Sequence, residues 1–284
     1  MRLSVRFWGV RGSIASPGAA MAEVGGNTSC VEVTAGEQRI VLDAGTGLKQ
    51  LGEALRGPRE VTLLLSHLHW DHIQGLPFFS PAWTPGSRLR VLGSRSTSTP
   101  EVSLEEALSR QMRAPHFPVG LSAMPARLSF EELGEGASFA LGEAQVRAQR
   151  VHHPDGVMAY RIEHGGASVV YATDVEPGTD ADDALAALAE GADLLIHDAQ
   201  YTDDEYEGRN GPSRRGWGHA SWQAAVRLAE RAGVGRLVLF HHDPGRTDAE
   251  VAAIERSAAR ARPGTIAARE GLEVRLPGGL ARAA

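Results

Sequence analysis

Val61-Thr62-Leu63-Leu64-Leu65-Ser66-His67-Leu68-His69-Trp70-Asp71-His72 runs from an apolar segment straight into three histidines and an aspartate. The opening residues are apolar or β-branched without a break, as expected of a strand covered on both faces. Such a strand delivers whatever follows it to the edge of a sheet, where side chains converge. The His67–His72 cluster is too polar for a core, and a simple surface turn has no need of it. Neutral imidazole and carboxylate are good ligands for zinc and other first-row metals. The plainer reading, a fortuitous His-rich loop, sits poorly with the strand in front of it.

One loop rarely completes a metal site, so further ligands are expected at other strand ends. Val151-His152-His153-Pro154, Tyr171-Ala172-Thr173-Asp174 and Phe240-His241-His242-Asp243-Pro244 each end an apolar run. Period-two or continuous apolar patterning predicts strands at 3–10, 29–34, 39–42, 61–66, 88–92, 145–151, 158–163, 168–172, 193–197, 236–240 and 272–276. Residues 182–190, 221–232 and 248–262 are rich in strong helix formers. Ser221 and Asp248 are expected N-caps, and Gly191 and Gly233 expected stops. Many strands with interspersed helices suggest two packed sheets with helices outside. The stretch from 94 to 130 differs: Ser/Thr-rich at its start, a possible helix at 101–112, then Pro115, Pro118 and Pro125. It reads as an excursion over the main fold, a lid or substrate wall, with a plain surface loop as the alternative. The sequence shows no repeat and no domain boundary, so one domain over 1–284 is expected.

Composition bounds the chemistry. Of the 284 residues, 29 are Lys or Arg and 35 Asp or Glu, a formal net charge of −6. An acidic chain is a poor instrument for broad capture of nucleic acid. The single cysteine, Cys30, allows neither an internal disulfide nor a thiolate zinc cluster, so any metal is held by His and carboxylates. The first residues carry no signal-peptide pattern and no apolar run approaches the ~20 residues of a membrane span. A cytoplasmic protein without membrane contact is expected.

The order His-x-His-x-Asp-His, then His, Asp and His, resembles the metallo-β-lactamase superfamily across nearly the whole chain. That resemblance implies an α/β fold, a four-layer αββα sandwich with a two-metal site along one edge. Carried over, it makes His67, His69 and His153 ligands of the first metal. Asp71, His72 and His241 hold the second, and Asp174 bridges the two. His153 is favoured over His152 because Pro154-Asp155-Gly156 follows it like the family's His-Pro-Gly-Gly turn. His241 is favoured over His242 because it directly follows the apolar run. The unused neighbours His152 and His242 read as solvated. The implied cofactors are two divalent ions, zinc first, with manganese or iron compatible. A carboxylate bridge suits metals about 3.5–4 Å apart that clamp an in-line displacement, with a shared hydroxide as nucleophile. This favours phosphodiester hydrolysis over thioester or redox chemistry.

Three further stretches, Gly9–Ser13, Gly25–Cys30 and Leu42–Gly47, look like a bacterial branch related to ribonuclease Z and to a phosphoribosyl cyclic phosphodiesterase. Loops of this kind can offer backbone amides to an anion, which makes Arg11, Ser13 and Asn27 candidate substrate contacts; simple tight turns are the alternative. Gly218-His219-Ala220-Ser221 resembles the Gly-His-Ser-Thr segment of ribonuclease Z-like enzymes, departing from it at Ala220. The resemblance makes His219 a catalytic residue beside the metals, a phosphate contact or proton donor, with Asp71 helping to position the hydroxide. Arg214 and Arg215 could add positive charge nearby. His116 is expected to pack, His164 to be exposed in a hairpin turn, and Asp198 to orient a metal-bound imidazole. The leading function is a dinuclear metal phosphodiesterase for a small cyclic phosphate or nucleotide, with a homodimer possible. A ribonuclease Z-like processing nuclease is the rival, though a long RNA-binding arm is not evident between Asp174 and His219. A metal-binding sensor with little turnover is a third reading. A β-lactamase stands behind the phosphoesters.

Overall fold

The computed structural model describes residues 3–178 and 181–278. Strands β1 (Leu3–Gly9), β2 (Cys30–Ala35) and β3 (Gln38–Leu42) form an antiparallel meander, and β4 (Glu60–Leu64), β5 (Arg88–Gly93) and β6 (Arg127–Glu132) add to it in parallel. The second half repeats the plan. Antiparallel β7 (Ser138–Leu141), β8 (Ala144–Val151), β9 (Val157–His164) and β10 (Ala167–Ala172) are followed by parallel β11 (Leu194–Asp198), β12 (Arg236–Phe240) and β13 (Ile266–Ala267). Finally β14 (Glu273–Leu276) returns antiparallel to β1. Two seven-stranded sheets result, ordered β14-β1-β2-β3-β4-β5-β6 and β13-β12-β11-β10-β9-β8-β7. A repeat invisible in the sequence is therefore present in the topology.

Strand alternation sorts the side chains into three apolar layers. In β10, Val169 and Tyr171 enter the core between the sheets, beside Phe7, Ile40, Ile196 and Phe240. Val170 and Ala172 face the other way and pack under helices. These are α4 (Ala181–Ala189), α6 (Trp222–Arg231) and α7 (Asp248–Ala261), whose Leu185, Ala225 and Ala258 join Val170, Leu195 and Leu237. Outside the first sheet, Leu48 and Leu51 of α1 (Gly47–Ala54) and Leu104 and Leu108 of α3 (Leu104–Gln111) cover Val41, Leu63 and Val91. A short α2 (Trp70–Ile73) opens inside the His-rich motif, and α5 (Asp203–Glu207) follows β11. The αββα layering and the continuous apolar run of β4, walled on both sides, are as the sequence implies.

Differences have local causes. Helix α1 was not expected, because its Gly47 and Gly52 lower helix propensity; both glycines lie against neighbouring chain, Gly47 where a Cβ would meet the Trp8 carbonyl at 2.5 Å. Strand β6 lies at a sheet edge with mostly exposed residues, so it lacks a buried-strand pattern. It ends the 94–130 excursion at Arg127, earlier than the sequence reading, and β7 and the two-residue β13 were likewise missed. Helix α7 is capped by Thr247 rather than Asp248, in a capping box with Glu250. Ser221 caps α6 as expected by accepting from the Ala224 amide, and Gly191 and Gly233 take the left-handed turn that ends a helix. His164 is buried, not exposed. His116, expected to pack, is exposed.

Candidate metal centre

The ends of β3, β4, β8, β10, β11 and β12 meet along one edge of the two sheets. From the first half come His67, His69, Asp71 and His72; from the second come His153, Asp174, His219 and His241. His67, His69, His153 and Asp174 form one group whose ligand atoms lie within 4.8 Å of one another, and Asp71, His72, Asp174 and His241 form another. Asp174 stands in both and divides its oxygens between them. Its Oδ2 lies 3.7 Å from His67 Nε2 and 3.9 Å from His153 Nε2, while its Oδ1 lies 3.2 Å from the Nε2 atoms of both His72 and His241. Asp71 Oδ2 adds contacts of 3.2 Å to His72 and 3.3 Å to His241. The Nε2 atoms of His67 and His72 are buried without a hydrogen-bond partner. Buried polar atoms left unpaired are costly, and two such nitrogens converging on carboxylates suit a cation. The donor set of imidazoles and carboxylates fits a first-row divalent ion.

Each imidazole is held from behind, which fixes the nitrogen turned to the centre. His72 Nδ1 donates to Asp43 Oδ2 at 2.8 Å, His241 Nδ1 to Gln200 Oε1 at 2.9 Å and His153 Nδ1 to the Gly218 carbonyl at 2.7 Å. His69 is turned the other way, its Nε2 3.3 Å from Asp155 Oδ2 and its Nδ1 3.2 Å from His153 Nε2. Burial holds the imidazoles of His67 and His153 below the ordinary histidine range, which favours the neutral form a metal takes. For His72 burial pulls the same way, but the charges of Asp174, Asp71 and Asp43 outweigh it and hold the group up. Burial also opposes the Asp174 charge, and the facing His241 and His72 overcome it and keep the carboxyl low.

Asp43 was not singled out by the sequence reading, although Leu42-Asp43-Ala44-Gly45 was noted as a loop. Its buried carboxylate accepts from the Ser66 amide at 2.7 Å, the Ser66 hydroxyl at 2.8 Å and the Tyr171 hydroxyl at 2.7 Å, besides His72. Gln200 and Glu176 were missed outright. Glu176 Oε2 accepts from the Gly218 amide at 2.9 Å and Oε1 accepts from the Tyr206 hydroxyl and the Gly216 amide, pinning the loop that carries His219. Asp198 orients His219 rather than one of the seven convergent histidines and aspartates of those two groups: His219 Nδ1 donates to its Oδ2 at 2.8 Å. Burial alone would lower the His219 imidazole, but Asp198, with Asp174 and Asp71 beyond, holds it up at about 9. His219 is itself buried, which sets aside the surface-histidine reading.

The neighbours resolve as well. His152 is exposed. His242 is fully buried, with Nε2 donating to the Ala268 carbonyl at 3.0 Å, so it is not the solvated residue expected from the sequence. Arg11 is corrected too. Its guanidinium is 0% exposed and donates to the carbonyls of Gly25, Asp243 and Arg246, so it ties loops together instead of meeting substrate. Asn27 is held by Glu270 through its amide at 2.6 Å and its side chain at 3.0 Å. Ser13 stays at the centre, its amide donating to Asp71 Oδ2 at 2.8 Å. The glycine loops serve close packing more than anion contact. A Cβ on Gly12 would stand 2.4 Å from the His241 ring, and one on Gly218 would stand 2.2 Å from His153 Nδ1. Ser13, Asp43, Asp155, Asp174 and His241 are the non-glycine residues with positive φ among the described residues, from 53° to 68°, and all five belong to this centre. Left-handed backbone of this kind collects at functional sites.

A family model described as a beta-lactamase superfamily domain matches residues 38–242, from β3 through the end of β12. The chain belongs to the beta-lactamase superfamily. That family is one of metal-dependent hydrolases, and this enzyme brings its histidines and aspartates together where the strand ends of the two sheets meet. A ribonuclease Z of Mycobacterium sp. (strain KMS) is 33% identical over 224 residues, covering 75% of this chain and 76% of that protein. In three dimensions the superfamily member is similar to zinc-bound PqqB from Methylobacterium extorquens, with a TM-score of 0.72 at 19% identity over 96% of this chain and 100% of the other. It is also similar to a diphosphatase of the PhnP family, with a TM-score of 0.70 at 18% identity over 97% of this chain and 98% of that one. At those identities the structural likenesses speak for the fold. Among the described residues no helix is long and apolar enough to cross a membrane.

Proposed function

We propose that this chain is a dinuclear phosphodiesterase for a small cyclic phosphate or nucleotide, its two sites preferring zinc and tolerating manganese or iron. The observation that carries the reading is the division of Asp174, Oδ2 facing His67 and His153 and Oδ1 facing His72 and His241. His67, His69 and His153 hold one divalent ion, Asp71, His72 and His241 the other, and Asp174 both. Bound there, the pair supplies Lewis acidity to the phosphoryl oxygens and a water acidified to near neutrality. The chain's own part is orientation and proton handling. His219, held through Nδ1 by Asp198, keeps Nε2 for the departing ester oxygen and delivers a proton to it. Ser13 keeps Asp71 aligned through its amide.

Substrate size has a structural correlate. A cavity of about 250 Å³ opens beside His67 and His69, walled by Leu68, Asp155, Ser94–Ser96 and, from the excursion, Val102 and Ala107. That volume is at the small end for a ligand site and takes one ring of an ester group. We assign the 94–130 segment the role of substrate wall, part of a single 1–284 unit. A second reading, RNA processing, is favoured by the 33% identical relative named ribonuclease Z. Against it stand the acidic balance and the compact path of the chain from Asp174 to His219 through α4, β11 and α5. Metal analysis of the zinc-loaded protein beside turnover of bis(p-nitrophenyl) phosphate, 2′,3′- and 3′,5′-cyclic nucleotides, precursor tRNA and nitrocefin separates them. Two metals with cyclic-ester turnover is the expected result. Cleavage of tRNA alone would replace it with the nuclease, and fewer than two metals would remove the dinuclear mechanism.

A further inference from the structure

The loop between α5 and α6 carries a cation with no counter-charge. Around the centre several other arginines are committed; Arg150, whose Nη1 is buried without a partner beside Gly156, is an exception and lies away from the His219 loop. Arg215 holds Glu207 through both carboxylate oxygens, Arg246 holds Glu205 at 2.9 Å, Arg95 holds Glu132 at 2.7 Å and Arg110 holds Glu106 at 3.1 Å. Among the described residues Arg214 has neither an ion pair nor a side-chain hydrogen bond. Its guanidinium instead lies 4.3 Å from the centroid of the Trp217 ring and 6.0 Å from that of Tyr201. Tyr201 in turn meets the His219 ring edge-on at 6.0 Å.

The loop is not free to drift. The Trp217 amide donates to the Arg214 carbonyl at 3.1 Å, Glu176 holds the amides of Gly216 and Gly218, and the Gly218 carbonyl receives His153. Arg214 is half-buried against these rings, so part of its hydration is already lost. Trp217 is 53% exposed and leaves the loop open to solvent on its outer side. A planar guanidinium stacked on aromatic faces keeps its N–H fork for a bidentate acceptor. Phosphates and carboxylates are what that fork fits.

Resting on the hydrolase reading, we propose that Arg214 is a substrate-binding residue that takes a second anionic group of the substrate, a phosphate or a carboxylate, beyond the phosphoryl group at the metal centre and on the His219 side. The favoured substrate class is therefore a phosphoester bearing another anion. Arg215, one residue on, does not share this role because Glu207 occupies it.

The test is calorimetric and needs no turnover. Zinc-loaded protein is titrated with adenosine 3′-phosphate, adenosine 3′,5′-bisphosphate and the 3′-phosphate of adenosine-5′-carboxylic acid. The wild-type protein is expected to bind at least one doubly anionic probe about 10- to 100-fold more tightly than the singly anionic one, and the better probe identifies the second group. Arg214→Ala abolishes that ratio, Arg214→Lys restores part of it and Arg215→Ala leaves it in place. A wild-type ratio near one, a ratio that survives in Arg214→Ala, or no binding of any probe overturns the proposal. A ratio that depends on Arg214 in a protein hydrolysing no diester would keep the anion site and remove the phosphodiesterase reading.

Discussion

Replacing Asp43 by Asn changes one atom of a buried carboxylate and tests how far the metal ligands depend on what stands behind them. The backbone at Asp43 has φ of 62°, and Asn is one of the few residues that accepts this conformation, so the chain path is spared. The amide oxygen still accepts from the Ser66 amide at 2.7 Å. In place of Oδ2 there is now an NH₂ facing the Ser66 and Tyr171 hydroxyls and His72 Nδ1, at 2.8, 2.7 and 2.8 Å. The hydroxyls can rotate and accept. His72 can accept only by moving its proton to Nε2, the very nitrogen that is buried without a partner and turned to Asp71 and Asp174. The ligand is then blocked by its own N–H. Loss of such a supporting carboxylate costs metal affinity about 10- to 100-fold, or about 1.4–2.7 kcal/mol. Competition with a chromophoric chelator measures both zinc constants in the wild type and in Asp43→Asn, with thermal melts of the metal-free proteins as the folding control. If both constants agree within about threefold, the orientation argument for His72 is wrong.

Other substitutions separate roles. Asp174→Ala is expected to remove metal occupancy together with activity, whereas His219→Ala keeps the metals and lowers turnover by about 10²–10⁴; metal analysis beside kcat distinguishes them, and full activity in His219→Ala would end its catalytic assignment. Because the ligands come from both halves of the chain, chelation should loosen the fold. At zinc concentrations about 100-fold above Kd the bound ion stabilises by about 2.7 kcal/mol, so the melting temperature should fall by several degrees on metal removal, as calorimetry would show. Acid should destabilise the metal-free protein through His242, whose burial pushes it down to about 3 while the unfolded residue titrates near 6.5. The unfolded chain then binds the extra proton, so this contribution is complete above the unfolded value and is lost as pH falls through the folded one. Urea melts of wild type and His242→Gln between pH 7 and 4 should differ in slope by about one proton, ~1.4 kcal/mol per pH unit; equal slopes would contradict it.

The convergence of these histidines and aspartates was legible because they sit directly after apolar runs, where strand patterning and polar chemistry change over within one residue. Leu65 to His67 and Phe240 to His241 show this most clearly. What stands behind them was not legible, since Asp43 and His72, or Gln200 and His241, meet only after the sheets pair, 29 and 41 residues apart. Arg11 was misread for the same reason: a positive residue in a glycine loop looks like an anion contact until its carbonyl partners are seen, two of them more than 230 residues away. Helix α1 was hidden by its own glycines, and β6 by its exposure at a sheet edge.

The five left-handed residues at Ser13, Asp43, Asp155, Asp174 and His241 set a limit on any attempt to make this protein hardier. Each holds a conformation that costs an ordinary L-residue about 1–2 kcal/mol, the three aspartates less, and glycine would relieve it. Elsewhere, stability can be raised by small independent improvements without touching the chemistry. At Asp43, Asp155, Asp174 and His241 the two demands are opposed, because the side chain that strains the backbone is the one that would hold, align or bridge the proposed metals; Ser13 aligns Asp71 through its backbone amide, which glycine would keep. An evolving or engineered descendant that drifted to glycine at those four would be a sturdier sandwich with an idle edge, so the positions mark where durability and activity trade against each other.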